Sequence, residues 1–241
     1  IENGKCDTSV VESVISKLAG ECEKRDKKIV VILKSTVPPG TTKSLNKISK
    51  KVSVIFNPEF LTEANATEDF NNQNRIVLGI DWIELIEPVT KLFSKVFKKS
   101  VELMVTPSKE AEMAKYMTNL FLATKVSFFN DMYRICDKLE VNYNSAMEAT
   151  LLDPRIGNSH TKVPGPDGDF GYGGHCFPKD VEALLHIATE FKLALPTLMG
   201  AHTTNMLVRK NKNWEEMEGR AVVAKEVVAE EIPEVLELDK K

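Results

Sequence analysis

The 241-residue sequence predicts an α/β region followed by an all-α region. Three observations carry that expectation. Short β-branched runs alternate with helical periodicity as far as Val105, the pattern of parallel strands joined by crossover helices. From Thr106 onward the strands stop and helical spacing takes over. Between residues 153 and 180 the periodicity lapses into a loop rich in Gly, Pro and Asp. A loop of that length inside a compact domain is usually functional or disordered.

Residues 7–24 place Val10, Val11, Val14, Ile15 and Leu18 at helical spacing, with Asp7 or Thr8 available as a cap. Lys28 to Leu33, KIVVIL, reads as a buried strand. Ser35 to Gly40 is a turn, because two prolines and a glycine cannot continue the strand. Thr41 or Thr42 then caps a short helix through Lys50. Val52 to Phe56 is a second strand, stopped by Asn57-Pro58. Arg75 to Ile80 is a third, residues 82–98 form a helix, and Val101 to Val105 is the fourth strand. Ligands in such sheets gather at the carboxyl ends of the strands. Those ends carry Lys34-Ser35-Thr36 and Asn57-Pro58-Glu59. They are polar either because they line a site or because loops are polar by default.

Thr106-Pro107 reads as the cap and first residue of one long helix, Ser108 to Leu139. Met113, Met117, Leu120, Phe121 and Phe128 can supply its packing stripe. Lys115 and Asn119 are four apart and share one face, which fits a solvated surface as well as a site. After the long loop, Val181, Leu184, Leu185, Ala188 and Phe191 resume helical spacing. A further helix from Thr197 to Arg209 follows Pro196. The expected domains are 1–106, 107–212 and a tail at 213–241. Residues 215–241 hold nine acidic and four basic side chains, so the tail is expected to be weakly ordered or partner-dependent.

Composition narrows the function. Lys and Arg number 32 against 35 Asp and Glu, a net charge of −3, which argues against general nucleic-acid binding, since that usually needs a basic face. No apolar run approaches the ~18 residues that a membrane-spanning helix needs. The chain opens on Ile1 rather than Met, without a hydrophobic signal core. Cys6, Cys22, Cys136 and Cys176 form no CxxC pair and are too sparse for a disulfide scaffold, as in a reducing cytoplasm. His160, His175, His186 and His202 lack metal-ligand spacing, so no metal is expected.

The loop ends in Gly171-Tyr172-Gly173-Gly174-His175-Cys176-Phe177-Pro178-Lys179-Asp180. Pro178 suits the first residue of a helix, because it lacks the N–H that would be orphaned there. Cys176 then sits at, or one residue before, the helix N-terminus. Amides and dipole at such an end stabilise a thiolate. The preceding glycines let a backbone or ligand approach closely. The same residues also fit a glycine-rich turn that merely contains a small Cys. His175 invites a Cys–His pair, yet adjacent residues at a turn point apart.

Together several segments resemble the UDP-glucose/GDP-mannose dehydrogenase family. They are Lys34 to Thr41 (KSTVPPGT), Asn57 to Glu63 (NPEFLTE), Ala111 to Asn119 (AEMAKYMTN), Asp153 to Gly157 (DPRIG) and Gly171 to Asp180 (GYGGHCFPKD). The resemblance runs from about residue 7 to about residue 210. It implies a partial Rossmann-like sheet, a helical central domain that forms a homodimer, and NAD as cofactor. It also implies oxidation of a nucleotide sugar, UDP-glucose to UDP-glucuronate, in two hydride transfers. Cys176 would capture the intermediate aldehyde as a thiohemiacetal and later a thioester. Lys115 and Asn119 would stabilise the reacting oxygen. Glu59 and Asp180 would join the acid/base network, with Thr36 holding a water. Thr36, Glu63 and Lys179 would lie on the cofactor side. Phe60, Leu61, Thr62 and Glu63 would line the sugar, and Tyr172 and Gly173 would lie along the nucleotide sugar. Arg155 would reach the substrate of a neighbouring subunit.

The sequence also departs from the family. The 241 residues contain no GxGxxG loop for a pyrophosphate, as if the chain opened after that unit. Gly219 to Val223 leads into the acidic tail instead of a second α/β domain. An unpaired sheet edge or exposed apolar face is therefore expected, with lower stability unless an oligomer supports it. A non-catalytic remnant that dimerises or binds a partner is the competing reading. A hydroxyacid or sugar-phosphate dehydrogenase is a weaker one, since those relatives use a helix lysine without the cysteine.

Overall fold

A computed structural model describes residues 4–61, 66–98, 100–219 and 221. Four strands lie in the order β1 (Ile29–Leu33), β2 (Val52–Phe56), β3 (Arg75–Gly79), β4 (Glu102–Thr106). β1 runs parallel to β2 and β3 parallel to β4, each over five residue pairs. The middle pairing differs from the parallel expectation. β2 and β3 are antiparallel and meet only where Phe56 faces Gly79. The link between them carries the seven-residue α3 (Ala66–Asn72). At 1.5 Å per residue that helix spans about 10 Å, short of the roughly 17 Å of a five-residue strand. The helix alone does not span the return, and the two strands meet at their carboxyl ends. Asn57 ties the junction: its N–H donates to the Leu33 carbonyl at 2.8 Å and its Nδ2 to the Val77 carbonyl at 2.9 Å.

Helices pack on both faces of the sheet, while Val30 of β1 and Met104 of β4 stay 43% and 57% exposed, as the expected exposed apolar surface requires. On one, Ile15, Ala19 and Cys22 of α1 (Ser9–Arg25) and Leu45 of α2 (Thr41–Leu45) pack against Leu33, Val54 and Phe56. On the other, Val89 of α4 (Ile83–Val96) packs against Ile55, Ile76 and Leu78. Helix α1 is entered through Asp7, whose Oδ1 accepts from the Ser9 N–H at 2.9 Å. Helix α2 is shorter than expected and is not capped by a threonine side chain. Gly40 holds its N-cap position at φ 100°.

The helical region is built on α5 (Ser108–Lys138), 31 residues long. Pro107 is its cap residue rather than its first turn, and the capping group is remote: Asp81 accepts from the Ser108 N–H at 2.9 Å and from Ser108 Oγ at 2.6 Å. This puts the start of α5 on the sheet junction. A Cβ on Gly79 would lie 2.8 Å from Ser108 Cα and 2.9 Å from Ala111 Cβ, so the approach requires glycine. Helix α6 (Tyr143–Thr150) follows, capped by Asn142 through the Ser145 N–H at 3.0 Å. Helices α7 (Cys176–Glu190) and α8 (Pro196–Val208) pack on α5 through Val181, Ala183 and Leu198.

The packing stripe expected on α5 is corrected. Leu120 is buried and Met113 half-buried, but Met117, Phe121 and Phe128 are 65%, 67% and 54% exposed. The buried side instead carries Glu112, Lys115, Asn119, Ser127 and Asn130 among small and aromatic residues. Helical spacing separates two faces but does not say which points inward. Among the described residues no helix is long and apolar enough to cross a membrane. Most of the acidic tail, 222–241, lies outside the described residues, as do Thr62 and Glu63.

Candidate active site

Three polar side chains on the inner face of α5 each hold a different segment. Glu112 takes the Gly40 N–H on one carboxylate oxygen and the Thr42 N–H on the other, the latter at 2.7 Å. That pins the turn after β1 to the helix. Lys115 Nζ donates to the Glu59 carbonyl and so fixes the segment after β2. Asn119 Nδ2 donates to Asp180 Oδ2 and so fixes the first turns of α7. Positions 112, 115 and 119 recur at the i, i+3, i+7 spacing of one helical face.

These ties draw the strand ends and α7 together. Lys34 donates to Asn57 Oδ1 at 3.0 Å and pairs with Glu59 Oε1 at 2.9 Å. Two cations lie against the Phe60 ring, Arg75 Cζ at 4.4 Å and Lys115 Nζ at 5.5 Å from its centre. Lys179 pairs with Asp180 Oδ1, so the Asp180 carboxylate is held on both oxygens while almost wholly buried. Cys176 is the first residue of α7, with His175 at the cap position. Pro178 is therefore the third helical residue rather than the first, still in the turn where an N–H has no intrahelical partner. The Cys176 thiol is half-buried, and none of the four cysteines forms a disulfide.

Burial lowers the pKa of Lys115, and the charges of Asp180 and Cys176 oppose that shift. Those three groups thus share one electrostatic environment. Burial likewise raises the Glu112 carboxyl, while the amides it accepts pull the other way. A cavity of about 490 Å³ lined by Lys28, Lys50, Ser53 and Trp82 lies at the amino ends of β1 and β2, among none of these residues.

The expected site residues do not all share one place. Cys176, Lys115, Asn119, Asp180 and Glu59 come together, with Phe60 against Lys115. Leu61 ends the described part of its segment, and Thr36 is half-buried past the end of β1. Lys179 is committed to Asp180 rather than open to a cofactor, its side chain 14% exposed. Arg155 stands apart, 87% exposed and paired with Asp153. Tyr172 turns its ring into the helical core against Phe177 instead of toward an open groove, and Gly173 lies against Arg209. Sequence reasoning assigned no role to Glu112, Lys34 or Asn57. Their signals were present: Glu112 lies one helical turn before Lys115, and the other two are the residues that leave the apolar strands.

With that geometry in view, known proteins supply the comparison. The NAD binding domain of the UDP-glucose/GDP-mannose dehydrogenase family matches residues 1–98, and its central domain matches residues 109–206. The chain belongs to this family. A UDP-glucose 6-dehydrogenase of Rickettsia prowazekii is 33% identical over 214 residues, which is 87% of this chain and 48% of that protein. A UDP-glucose dehydrogenase from Pyrobaculum islandicum superposes with a TM-score of 0.76 at 32% identity, over 86% of this chain and 48% of the other. A UDP-D-ManNAc dehydrogenase from Pyrococcus horikoshii shares the fold, with a TM-score of 0.70 at 24% identity. It covers 86% of this chain and 48% of its own. The chain spans about half the length of the curated relatives it matches. The expected α/β sheet and helical region are thus those of the family, and the first 98 residues belong to a domain that binds NAD.

Proposed function

We propose that this chain carries the catalytic residues of an NAD-dependent nucleotide-sugar 6-dehydrogenase that oxidises UDP-glucose to UDP-glucuronate in the cytoplasm. The observation that carries the reading is the gathering of Cys176, Lys115, Asn119 and Asp180 where α5 meets the start of α7. The cofactor fits in part. The strand carboxyl ends offer a polar rim, Lys34, Thr36 and Glu59, suited to a nicotinamide ribose. Among the described residues, the strand-to-helix turn that carries a glycine has the Gly40 N–H taken by Glu112, so that amide is not left for a pyrophosphate. Thr36 and Glu63 are the residues that would hold the cofactor. When bound, NAD supplies the acceptor for each hydride.

The protein's own part follows from its chemistry. Cys176 Sγ adds to the aldehyde carbon left by the first oxidation, and its proton goes to the carbonyl oxygen, giving a thiohemiacetal. Loss of the second hydride from that carbon and of the hydroxyl proton from its oxygen gives a thioester, and water then cleaves the C–S bond to release carboxylate, thiol and a proton. Lys115 and Asn119 face the oxygen that bears charge at these stages. Asp180, held by Asn119 and Lys179, receives or returns a proton through water, with Glu59, paired with Lys34, as the second carboxylate of the network. Phe60 to Glu63 line the sugar. The exposed row Met117, Phe121 and Phe128 pairs with a second copy, which brings the exposed Arg155 to its partner's substrate.

The test is calorimetry of the 241-residue chain with NAD and UDP-glucose, with NADH followed in the same sample. Two NADH per UDP-glucuronate are expected, and no UDP-glucuronate with Cys176→Ala. UDP-glucuronate formation that survives Cys176→Ala sinks the covalent mechanism. Failure to bind either ligand favours the remnant reading, which the half-length match to relatives motivates.

A further inference from the structure

We infer that Asn205 is a positioning residue for Cys176, acting through the glycine loop at 171–174. The inference rests on the reading of Cys176 above. This loop has no regular structure of its own, and side chains from three segments take its backbone groups. Asn130 of α5 accepts from the Gly171 N–H at 3.0 Å. Asn205 of α8 accepts from the Tyr172 N–H at 2.7 Å and donates to the Tyr172 carbonyl at 3.1 Å. Asn213 accepts from the Gly174 N–H at 3.1 Å. Asn205 thus satisfies both backbone groups of one residue, as a neighbouring strand would.

The glycines record how close this contact is. A Cβ on Gly171 would lie 2.2 Å from Asn205 Oδ1, and one on Gly173 would lie 2.2 Å from Arg209 Nη2. The Arg209 guanidinium is itself fixed by Asp167 at 2.7 Å and Asn211 O at 2.8 Å. The loop is glycine because a carboxamide and a guanidinium lie flat on its backbone. Asn205 is 1% exposed and so has no other place to go. Gly174 precedes Cys176 by two residues, so the height of the loop sets where α7 begins. Since α8 packs on both α5 and α7, Asn205 holds Cys176 in register with Lys115 and Asn119. Only a group with one acceptor and one donor in a plane meets both Tyr172 atoms. Asp would turn a second acceptor toward the Tyr172 carbonyl.

The experiment is iodoacetamide labelling of the folded 241-residue chain across pH, with each cysteine followed by mass spectrometry. In the parent, Cys176 labels faster than Cys136. In Asn205→Asp, the Cys176 rate falls by roughly five- to tenfold or its pH profile shifts, while Cys136 is unchanged. A folded Asn205→Asp chain with a lower melting temperature but a parent-like Cys176 rate and profile overturns the inference. Should that variant fail to fold, Asn213→Ala releases only the Gly174 N–H. A slower Cys176 there supports the loop's role, and an unchanged one overturns it. A parent chain in which Cys176 labels no faster than Cys136 defeats the underlying reading of Cys176 first, and Asn205 with it.

Discussion

On the inner face of α5, Glu112, Lys115 and Asn119 are polar and buried; on its outer face, Met117, Phe121 and Phe128 are apolar and more than half exposed. A helix that only packs against a core has the opposite arrangement. Burying a carboxylate, an ammonium and a carboxamide is unfavourable unless each is bonded. Each is bonded, and each to a different segment: the turn after β1, the segment after β2 and the start of α7. The inner face therefore organises loops rather than a core. The outer face is unusual for water and suited to another protein surface. Substitutions on the two faces should separate: inner ones act on chemistry and on the fold, outer ones on association.

The largest effect is expected from Lys115→Met, which keeps the length of the side chain and removes its charge. Losing one donor to a reacting oxyanion reduces turnover by about 10²- to 10³-fold. The pH profile sharpens this. Burial lowers the Lys115 pKa below the ordinary 10.5, so its charge is present below that lowered value and lost above it. NADH formation should fall as pH rises through it, and the residual activity of Lys115→Met should lack that limb. The same alkaline limb in the variant would assign it to another group.

Glu112→Ala is expected to act on stability. It leaves the buried Thr42 N–H and the half-buried Gly40 N–H without their acceptor, at a cost of about 2–4 kcal/mol. Burial raises the Glu112 pKa above the ordinary 4.5, so the native state binds this proton more tightly than the unfolded chain does. Its stability contribution is complete below the unfolded value and declines as pH rises through the folded one. Urea melts across pH should show that decline in the parent and lose it in Glu112→Gln. A Glu112→Ala chain as stable as the parent would mean the inner face does not hold the β1 turn.

Much of this was legible beforehand. KIVVIL and RIVLGI announce strands because β-branched runs bounded by turn residues have few alternatives. Lys115, Asn119, Cys176 and Asp180 stand in motifs whose order carries the family resemblance. The antiparallel meeting of β2 and β3 was not legible, because direction depends on where the connection goes and not on the strands. The two faces of α5 were visible as a period, but their polarity misled: methionine and phenylalanine read as core. Glu112 escaped because a glutamate in a helix is normally solvated, and only the Gly40 and Thr42 amides brought beside it in space give it a partner. Asn205 likewise sits in an unremarkable helical run, and its role exists only once α8 meets the glycine loop.

The smallest effect on the fold, and the sharpest on the comparison, is expected from Phe121→Glu combined with Phe128→Glu. Both side chains are more than half exposed, so their replacement should shift the stability of a single chain by no more than about 0.5 kcal/mol. If the outer face joins two copies, the same change places like charges opposite one another across a two-fold axis, where each residue meets its own equivalent region. Sedimentation should then show a dimer for the parent and a monomer for the double variant, with the rate of Cys176 labelling preserved in both. Turnover would still fall in the monomer, because Arg155 would no longer meet a neighbour's substrate. A parent that sediments as a monomer at all concentrations would leave the outer face unexplained by self-association, and the inner face would then have to account for the chemistry without help from a second copy.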